Sequence, residues 1–243
     1  SYRKLRVLTL SSEVNSEVLK ELQSYPLGKI TVRKMRYDQE DLICRLFEEN
    51  ATLESVDLQF CSPNVLRAIS TKKRLHTLMI WSCELDASIL ASCISNLPAL
   101  KSLILDNVIL AKGLVSHLLA ALPQHITTFS LELSSPSRMA PFADVISLVK
   151  QLTSAQSICL PQYTDYNETE LRELLSLLER HSSLREVSLA INLNQLMGDD
   201  NWPRDMILRL NADINWKFSY KSKQKNDEAC RFLNHRNVCI RAR

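Results

Sequence analysis

A short pattern of apolar residues recurs along the whole chain and constrains its fold more than any other feature. Apolar residues occupy the first, fourth, sixth and ninth positions of a unit that is clearest in the segments 53–61, 75–83 and 100–108. The central apolar residue falls at positions 8, 30, 56, 78, 103, 129, 158 and 187, at intervals of 22 to 29 residues. Further units are predicted around Trp216 with Phe218 and around Val238 with Ile240. This period predicts one solenoid domain of residues 1–243, built from about nine to ten units.

Each unit is predicted to contain one β-strand and one helix. Because side chains alternate between the two faces of a strand, the fourth and sixth residues of a unit point inward and their neighbours point outward. Ser62 followed by Pro63 is typical of a helix N-terminus, and Asn167 to Glu170 is typical of a capping box. Asp38 stands in a similar position before an apolar helical pattern. Further helices are predicted over 87–97, 113–122 and 142–152.

The units resemble leucine-rich repeats of the ribonuclease-inhibitor-like and cysteine-containing classes. The resemblance is carried by the runs ending at Cys61 and Cys83 and by Asn192 at the same position. It implies an α/β horseshoe with a parallel concave sheet and helices on the convex face. Proteins with such arrays include substrate receptors of cullin-type ubiquitin ligases, innate-immune sensors and GTPase-activating regulators. Unit length is irregular, and Ala155 stands where the pattern has a leucine.

A doubly wound α/β domain is the alternative fold, since it also alternates strands and helices. Such domains usually place glycines at strand-to-helix turns, whereas this chain has only three glycines. The regular period therefore favours the solenoid. Residues 195–215 are predicted to be an irregular insertion, and residues 226–243 a C-terminal capping segment that ends in a strand over 238–243.

Composition sets the class of protein and its expected compartment. The formal net charge is +3, and none of the seven cysteines forms a Cys-x-x-Cys pair. Reduced thiols are typical of cytoplasmic or nuclear proteins. No apolar run is long enough to span a bilayer, and no signal peptide is recognisable, so no membrane association is predicted. The chain begins inside a unit, which suggests a piece of a longer regulatory protein whose upstream domain and oligomeric state the sequence does not reveal.

Motifs for catalysis are missing from the sequence. It has no zinc-protease, nucleophile-elbow or phosphate-loop pattern, and its five histidines share no metal-ligand spacing. Cys159 is predicted to face outward, but no cationic neighbour that would activate its thiol is evident. We therefore predict a protein that is not an enzyme and that holds no metal or cofactor.

The repeat pattern also predicts which residues face outward on the sheet. They are Val7, Thr9, Ser11, Lys29, Thr31, Arg33, Ser55, Asp57, Gln59, Thr77, Met79, Trp81, Ser102, Ile104, Asp106, Thr128, Ser130, Glu132, Ser157, Cys159, Pro161, Glu186, Ser188 and Ala190. Large apolar side chains ringed by polar ones are typical of protein interfaces. The predicted partner-binding residues are Asp57, Gln59, Phe60, Met79, Trp81, Ile104, Asp106 and Glu132. Coverage of this patch by neighbouring loops or a terminal segment is the alternative.

The sequence thus predicts a protein–protein recognition module, of which the substrate-recognition part of a ubiquitin ligase is one concrete version. The alternative is a solenoid that binds nucleic acid or an acidic partner through its basic ends. The basic residues at those ends are Arg3, Lys4, Arg6, Lys29, Arg33, Lys34, Arg36, Lys217, Lys221, Lys223, Lys225, Arg231, Arg236, Arg241 and Arg243. Few aromatic residues accompany them, which makes a solvated charged surface the more ordinary interpretation.

Overall fold

The computed structural model of the protein describes residues 5–11, 15–33, 37–59, 61–110, 114–133, 141–160, 167–190, 213–220 and 239–242. The chain divides into two compact units, residues 1–126 (unit 1) and 127–243 (unit 2). Each unit alternates β-strands with α-helices, as the sequence predicts. Most of the predicted insertion over 195–215 and of the predicted capping segment over 226–243 lies outside the described residues. The single domain of residues 1–243 stays a prediction.

Unit 1 is built on parallel strands separated by helices. The strands are β1 (Val7–Leu10), β2 (Lys29–Val32), β3 (Ser55–Leu58), β4 (Thr77–Trp81), β5 (Glu84–Leu85) and β6 (Ser102–Leu110). The helices are α1 (Ser16–Leu22), α2 (Glu40–Glu49), α3 (Pro63–Ser70), α4 (Ala87–Ser95) and α5 (Leu114–Ala121). The strands pair in the order β1-β2-β3-β4-β6, and β5 adds a short pairing to β6. Since successive parallel strands pair directly, right-handed crossovers put the intervening helices on one side of the sheet.

Unit 2 repeats the same organisation. Its strands are β7 (Thr128–Leu133), β8 (Ser157–Cys159), β9 (Glu186–Ala190), β10 (Asn215–Tyr220) and β11 (Cys239–Ala242). Its described helices are α6 (Phe142–Gln151) and α7 (Glu168–Glu179). The strands are parallel and pair in chain order. In the described part of either unit, no helix combines the length and the apolarity needed to cross a bilayer.

The predicted register of the apolar residues is confirmed within each unit. In unit 1, the central residues pair directly across the strands in the order Leu8, Ile30, Val56, Leu78 and Leu103. In unit 2, the corresponding order is Phe129, Ile158, Val187 and Trp216, and Phe218 pairs with Ile240 one strand further on. The repeat period seen in the sequence is therefore the period of the strand ladder.

The core lies under these apolar rows. The apolar residue at the first position of the sequence repeat is at most 1% exposed in the second to the eighth repeats. These residues are Leu27, Leu53, Leu75, Leu100, Ile126, Ala155 and Leu184. Ala155 is fully buried, so the smaller side chain keeps the inward position of the leucine that it replaces. At the ninth position, Cys83 and Val108 are buried and Cys61 is half-buried. Burial raises the pKa of the Cys83 thiol to about 11, which suits a packing role.

Helix starts follow the sequence closely, with one correction. The Ser62 side chain accepts a hydrogen bond from the Val65 N–H at 3.2 Å, and Asn167 forms the predicted capping box with Glu170. Asp38 was expected to precede its helix as a cap. Instead it lies inside a 3-10 turn over Tyr37–Gln39, and α2 begins directly after that turn, at Glu40. The prediction did not include α1, which Asn15 caps, or the short strand β5.

Within unit 1 and within unit 2, neighbouring sequence repeats are joined by a recurring pair of backbone hydrogen bonds just before each strand. One backbone carbonyl accepts hydrogen bonds from two consecutive backbone N–H groups of the next repeat. The acceptors in unit 1 are the carbonyls of Arg6, Gly28, Glu54 and His76, at 2.8 to 3.1 Å. In unit 2, the carbonyls of Thr127 and Gln156 accept in the same way. These bonds hold each strand at a constant offset from the one before it, which keeps the outward side chains in straight rows.

Two neighbouring segments contain a residue in the left-handed region, one directly after β4 and the other within β6. Ser82 has φ of 51° and Asn107 has φ of 53°. Asn107 Nδ2 donates to Ser82 Oγ at 3.0 Å, so the two turns are stacked. Asparagine tolerates this backbone conformation better than serine does, which leaves the strain at Ser82.

Ser82→Gly should therefore be more stable than Ser82→Ala by about 1 kcal/mol. Both variants lose the hydroxyl that bonds Asn107, so their difference reports the cost of the positive φ alone. Urea unfolding of the two variants measures it. Equal midpoints would contradict a left-handed Ser82.

Candidate functional site

The side chains opposite the core form a surface on the sheet of unit 1, which we call the outward face. Its members alternate along β1 to β6 with the buried apolar residues. Pairing across the strands arranges them in rows. The middle row consists of Thr9, Thr31, Asp57, Met79 and Ile104. The row before it consists of Val7, Lys29, Ser55, Thr77 and Ser102. At the carboxyl ends of the strands, Trp81 pairs with Asp106.

Six of the eight predicted partner-binding residues lie on this face. They are Asp57, Gln59, Met79, Trp81, Ile104 and Asp106. Phe60 lies outside the described residues. Glu132 belongs to unit 2, where it accepts a hydrogen bond from the Cys159 thiol at 3.6 Å.

Two of the residues predicted to face outward lie on the predicted face and are nevertheless buried. Thr31 is 3% exposed and Asp57 is 5% exposed, although both lie on the face opposite the core. Strand alternation decides the face on which a side chain lies, but not how far longer neighbours cover it. Short side chains beside Arg33 and Met79 can be covered without turning into the core. Asp57 is therefore a carboxylate that its neighbours on the outward face shield from solvent.

An apolar patch adjoins this carboxylate. Met79 and Trp81 lie on the same face of β4, and Met79 pairs in register with Ile104 of β6. All three side chains are half-buried, so each keeps part of its surface in contact with solvent. The Trp81 carbonyl accepts a hydrogen bond from the Cys83 thiol at 3.0 Å, which ties the end of β4 to the core below. The patch therefore stands on a well-supported strand.

Arg33 provides the charge opposite Asp57. Its Nη2 lies 3.5 Å from Asp57 Oδ2, and its side chain is 43% exposed. The Gln59 amide, in the orientation that satisfies its neighbours, donates to the Arg33 carbonyl at 2.8 Å and accepts from Arg33 Nη1 at 3.0 Å. Arg33 is predicted to face outward and belongs to the predicted basic ends, but its pairing with Asp57 was not predicted. Opposite charges on adjacent units of the outward face were the sequence feature that could have indicated this ion pair.

Among the described residues of the face, two buried polar atoms have no hydrogen-bond partner within the part of the chain that the structure describes. One is Asp57 Oδ1 and the other is the indole Nε1 of Trp81. A buried polar atom without a partner costs roughly 1–3 kcal/mol, more for a charged group. Such atoms are uncommon in folded proteins, because an ordered water or another bound group usually satisfies them. Their position beside the apolar patch marks this part of the outward face as the candidate site.

The outward side of the sheet in unit 2 is polar and carries small side chains. Ser130, Cys159 and Ser188 pair in register on β7, β8 and β9. Burial raises the pKa of the Cys159 thiol, the Ser130 and Ser188 side chains oppose that shift, and Glu132 adds to it. A raised pKa disfavours the nucleophilic thiolate. Thus the cysteine is on the predicted face, and its surroundings do not activate it.

Histidine and metal chemistry contribute nothing to the candidate site. His181 lies just beyond the end of α7, near a helix end as predicted, and its Nε2 donates to the Leu152 carbonyl at 2.6 Å. That bond closes the end of α6, so the role of His181 is structural. Across the described ranges, no group of three histidine, cysteine, aspartate or glutamate side chains is placed to hold a metal ion.

Most residues of the predicted basic ends lie outside the described residues. Among those that are described, Arg33 pairs with Asp57 and Lys217 pairs with Glu186. Both cations are thus balanced by carboxylates on neighbouring strands. Binding of nucleic acid or of an acidic partner through the basic ends stays a prediction.

No protein-family model matches the chain, and no curated protein matches it in sequence. A functional assignment therefore has to be argued from the outward face itself.

Proposed function

We propose that this protein is a recognition module that binds another protein through the outward face of unit 1. The partner contacts Met79, Trp81 and Ile104 as the centre of the interface. The observation that carries the proposal is the apolar patch around the half-buried Trp81, where two buried polar atoms, Trp81 Nε1 and Asp57 Oδ1, have no hydrogen-bond partner among the described residues.

The arrangement matches what a protein interface needs. Binding energy is concentrated in a few aromatic and arginine side chains near the centre, while polar residues around them exclude water. Here Trp81 has Met79 and Ile104 as apolar neighbours, and Arg33, Gln59 and Asp106 lie along the same end of the strands. The side chains project from paired strands and not from loops. Little conformational entropy is therefore lost on binding, which favours affinity.

We also propose that the repeats form a leucine-rich-repeat horseshoe, with the outward face as its concave surface. The in-register apolar rows of both units and the recurring strand–helix order support this. Membership in a larger regulatory protein, for example as the substrate-recognition part of a ubiquitin ligase, and the expected lack of enzymatic activity remain predictions.

The test replaces the central anchor and follows the partners. Trp81→Ala should remove the proteins that the chain captures from a cell lysate, with a loss of about 2 kcal/mol or more in binding free energy, roughly 30-fold in Kd, for each. Quantitative mass spectrometry compares the captured sets, and titration with each recovered protein gives the Kd.

Val18→Ala is the matched control, because Val18 is an apolar side chain on α1 that is 44% exposed and lies away from the outward face. It should leave the captured set unchanged. An unchanged set for Trp81→Ala, with an unchanged circular dichroism spectrum, would show that the assignment of the binding face is wrong.

A further inference from the structure

Trp81 has an aspartate on each neighbouring strand, one directly opposite in the register and one on the diagonal. On one side, Trp81 pairs in register with Asp106 of β6. On the other side is β3, where Asp57 pairs with Met79, two residues before Trp81 on the same face of β4. Asp106 is directly opposite Trp81, and Asp57 is a diagonal neighbour at a typical separation of about 7 to 8 Å, a spacing that long side chains can bridge. A long ligand group placed over Trp81 therefore has a carboxylate on either side. We call Asp57, Met79, Trp81, Ile104 and Asp106 the Trp81 site.

The charge of Asp57 is only partly compensated within the described residues. Its nearest cation, Arg33, approaches Oδ2 at 3.5 Å, which is long for a hydrogen-bonded ion pair, and Oδ1 has no hydrogen-bond partner. The carboxylate is also 5% exposed, so water screens it little and its field extends further than that of a surface charge. Arg33 directly follows β2, on the far side of Asp57 from Trp81. The field is therefore least compensated on the Trp81 side.

We propose that the Trp81 site binds an arginine side chain of the partner, an inference that rests on the proposed function and names the chemistry it recognises. The guanidinium stacks on the indole between Asp57 and Asp106, and the methylene stem contacts Met79 and Ile104. Asp57 acts through its charge and needs no direct contact.

Arginine fits this combination better than other side chains do. Its planar cation stacks on tryptophan, and its aliphatic stem covers apolar surface while the charged head stays near carboxylates. An aliphatic anchor would cover Asp57 further without balancing its charge, which costs free energy. An acidic side chain would be repelled by Asp57 and Asp106 together.

The experiment compares arginine with its uncharged isostere. The probes are N-acetyl-arginine methylamide and the corresponding citrulline compound, titrated into the full ¹⁵N-labelled chain. The Trp81 indole N–H resonance, assigned by its loss in Trp81→Phe, reports binding. We expect saturable shifts with a millimolar Kd for the arginine probe, binding about 10-fold weaker or more for citrulline, and loss of the difference in high salt.

Carboxylate variants locate the cause of the preference. Asp57→Asn and Asp106→Asn should each weaken binding of the arginine probe several-fold and leave the citrulline probe unchanged. Glu84→Gln, which removes the same charge from an exposed residue of β5, should change neither. If Asp57→Asn loses the dispersed spectrum of the folded chain, Asp106→Asn and the comparison of probes still decide the result.

Equal shifts with both probes, no shift with either, or carboxylate variants that behave like Glu84→Gln would each overturn the arginine site. These failures are distinct from failure of the proposed function. Partners lost in Trp81→Ala together with no preference for arginine would leave the binding face standing and remove only the arginine. Partners retained in Trp81→Ala would remove the binding face itself, whatever the probes do.

Discussion

Replacing Leu78 with alanine should lower the free energy of unfolding by about 3 to 5 kcal/mol. Leu78 is fully buried in the central row of unit 1, where it pairs with Val56 on one side and Leu103 on the other. The substitution removes buried methyl groups and leaves a cavity that the flanking strands, held by the repeated backbone bonds, cannot close. Urea unfolding followed by circular dichroism measures the change.

Two controls separate burial from other effects of the Leu78 substitution. Leu78→Met keeps the volume and should cost less than about 1.5 kcal/mol. Met79→Ala changes the next residue, which points to the outward face, and should cost about 1 kcal/mol or less. Equal losses for Leu78→Ala and Met79→Ala would mean that β4 does not separate a core from an outward face.

Replacing Asp57 with leucine should raise the free energy of unfolding by about 1 to 4 kcal/mol. The Asp57 carboxylate is buried on the outward face, its ion pair with Arg33 is long, and one of its oxygens lacks a hydrogen-bond partner. Desolvation of such a group costs more than its single ion pair returns. Arg33 is 43% exposed, so its charge stays solvated when the carboxylate is removed. A leucine would also pack against Met79, the register partner of Asp57 on β4.

Asp57→Asn separates charge from packing, because it removes the charge and keeps the shape. It should be closer to the wild-type stability than Asp57→Leu, since a buried amide still requires hydrogen-bond partners. A decrease in stability for Asp57→Leu would show that neighbouring groups satisfy the carboxylate. The predicted gain would instead identify Asp57 as a residue retained at a cost in stability, which is typical of binding sites.

The candidate site could be predicted from the sequence only in part. Strand alternation placed Met79, Trp81 and Ile104 together on the outward face, and the register of β4 and β6 agrees with this. The same rule placed Asp57 on this face but gave no information about its exposure, and the structure buries it. The role of Arg33 was missed as well, because a repeat pattern gives each position a direction and carries no information about the length of the neighbouring side chains.

The amino-acid sequence by itself determined the order and the pairing register of the parallel strands of this protein. Its apolar residues recur at intervals that match the length of one strand and one crossover connection. Residues at the same position of successive repeats pair across neighbouring strands because that register buries all of them at once. Only the tertiary structure decided which outward groups are shielded and which remain without partners. Those properties depend on side chains that are distant along the chain, such as Arg33, Asp57 and Trp81, and that become neighbours only when the strands pair.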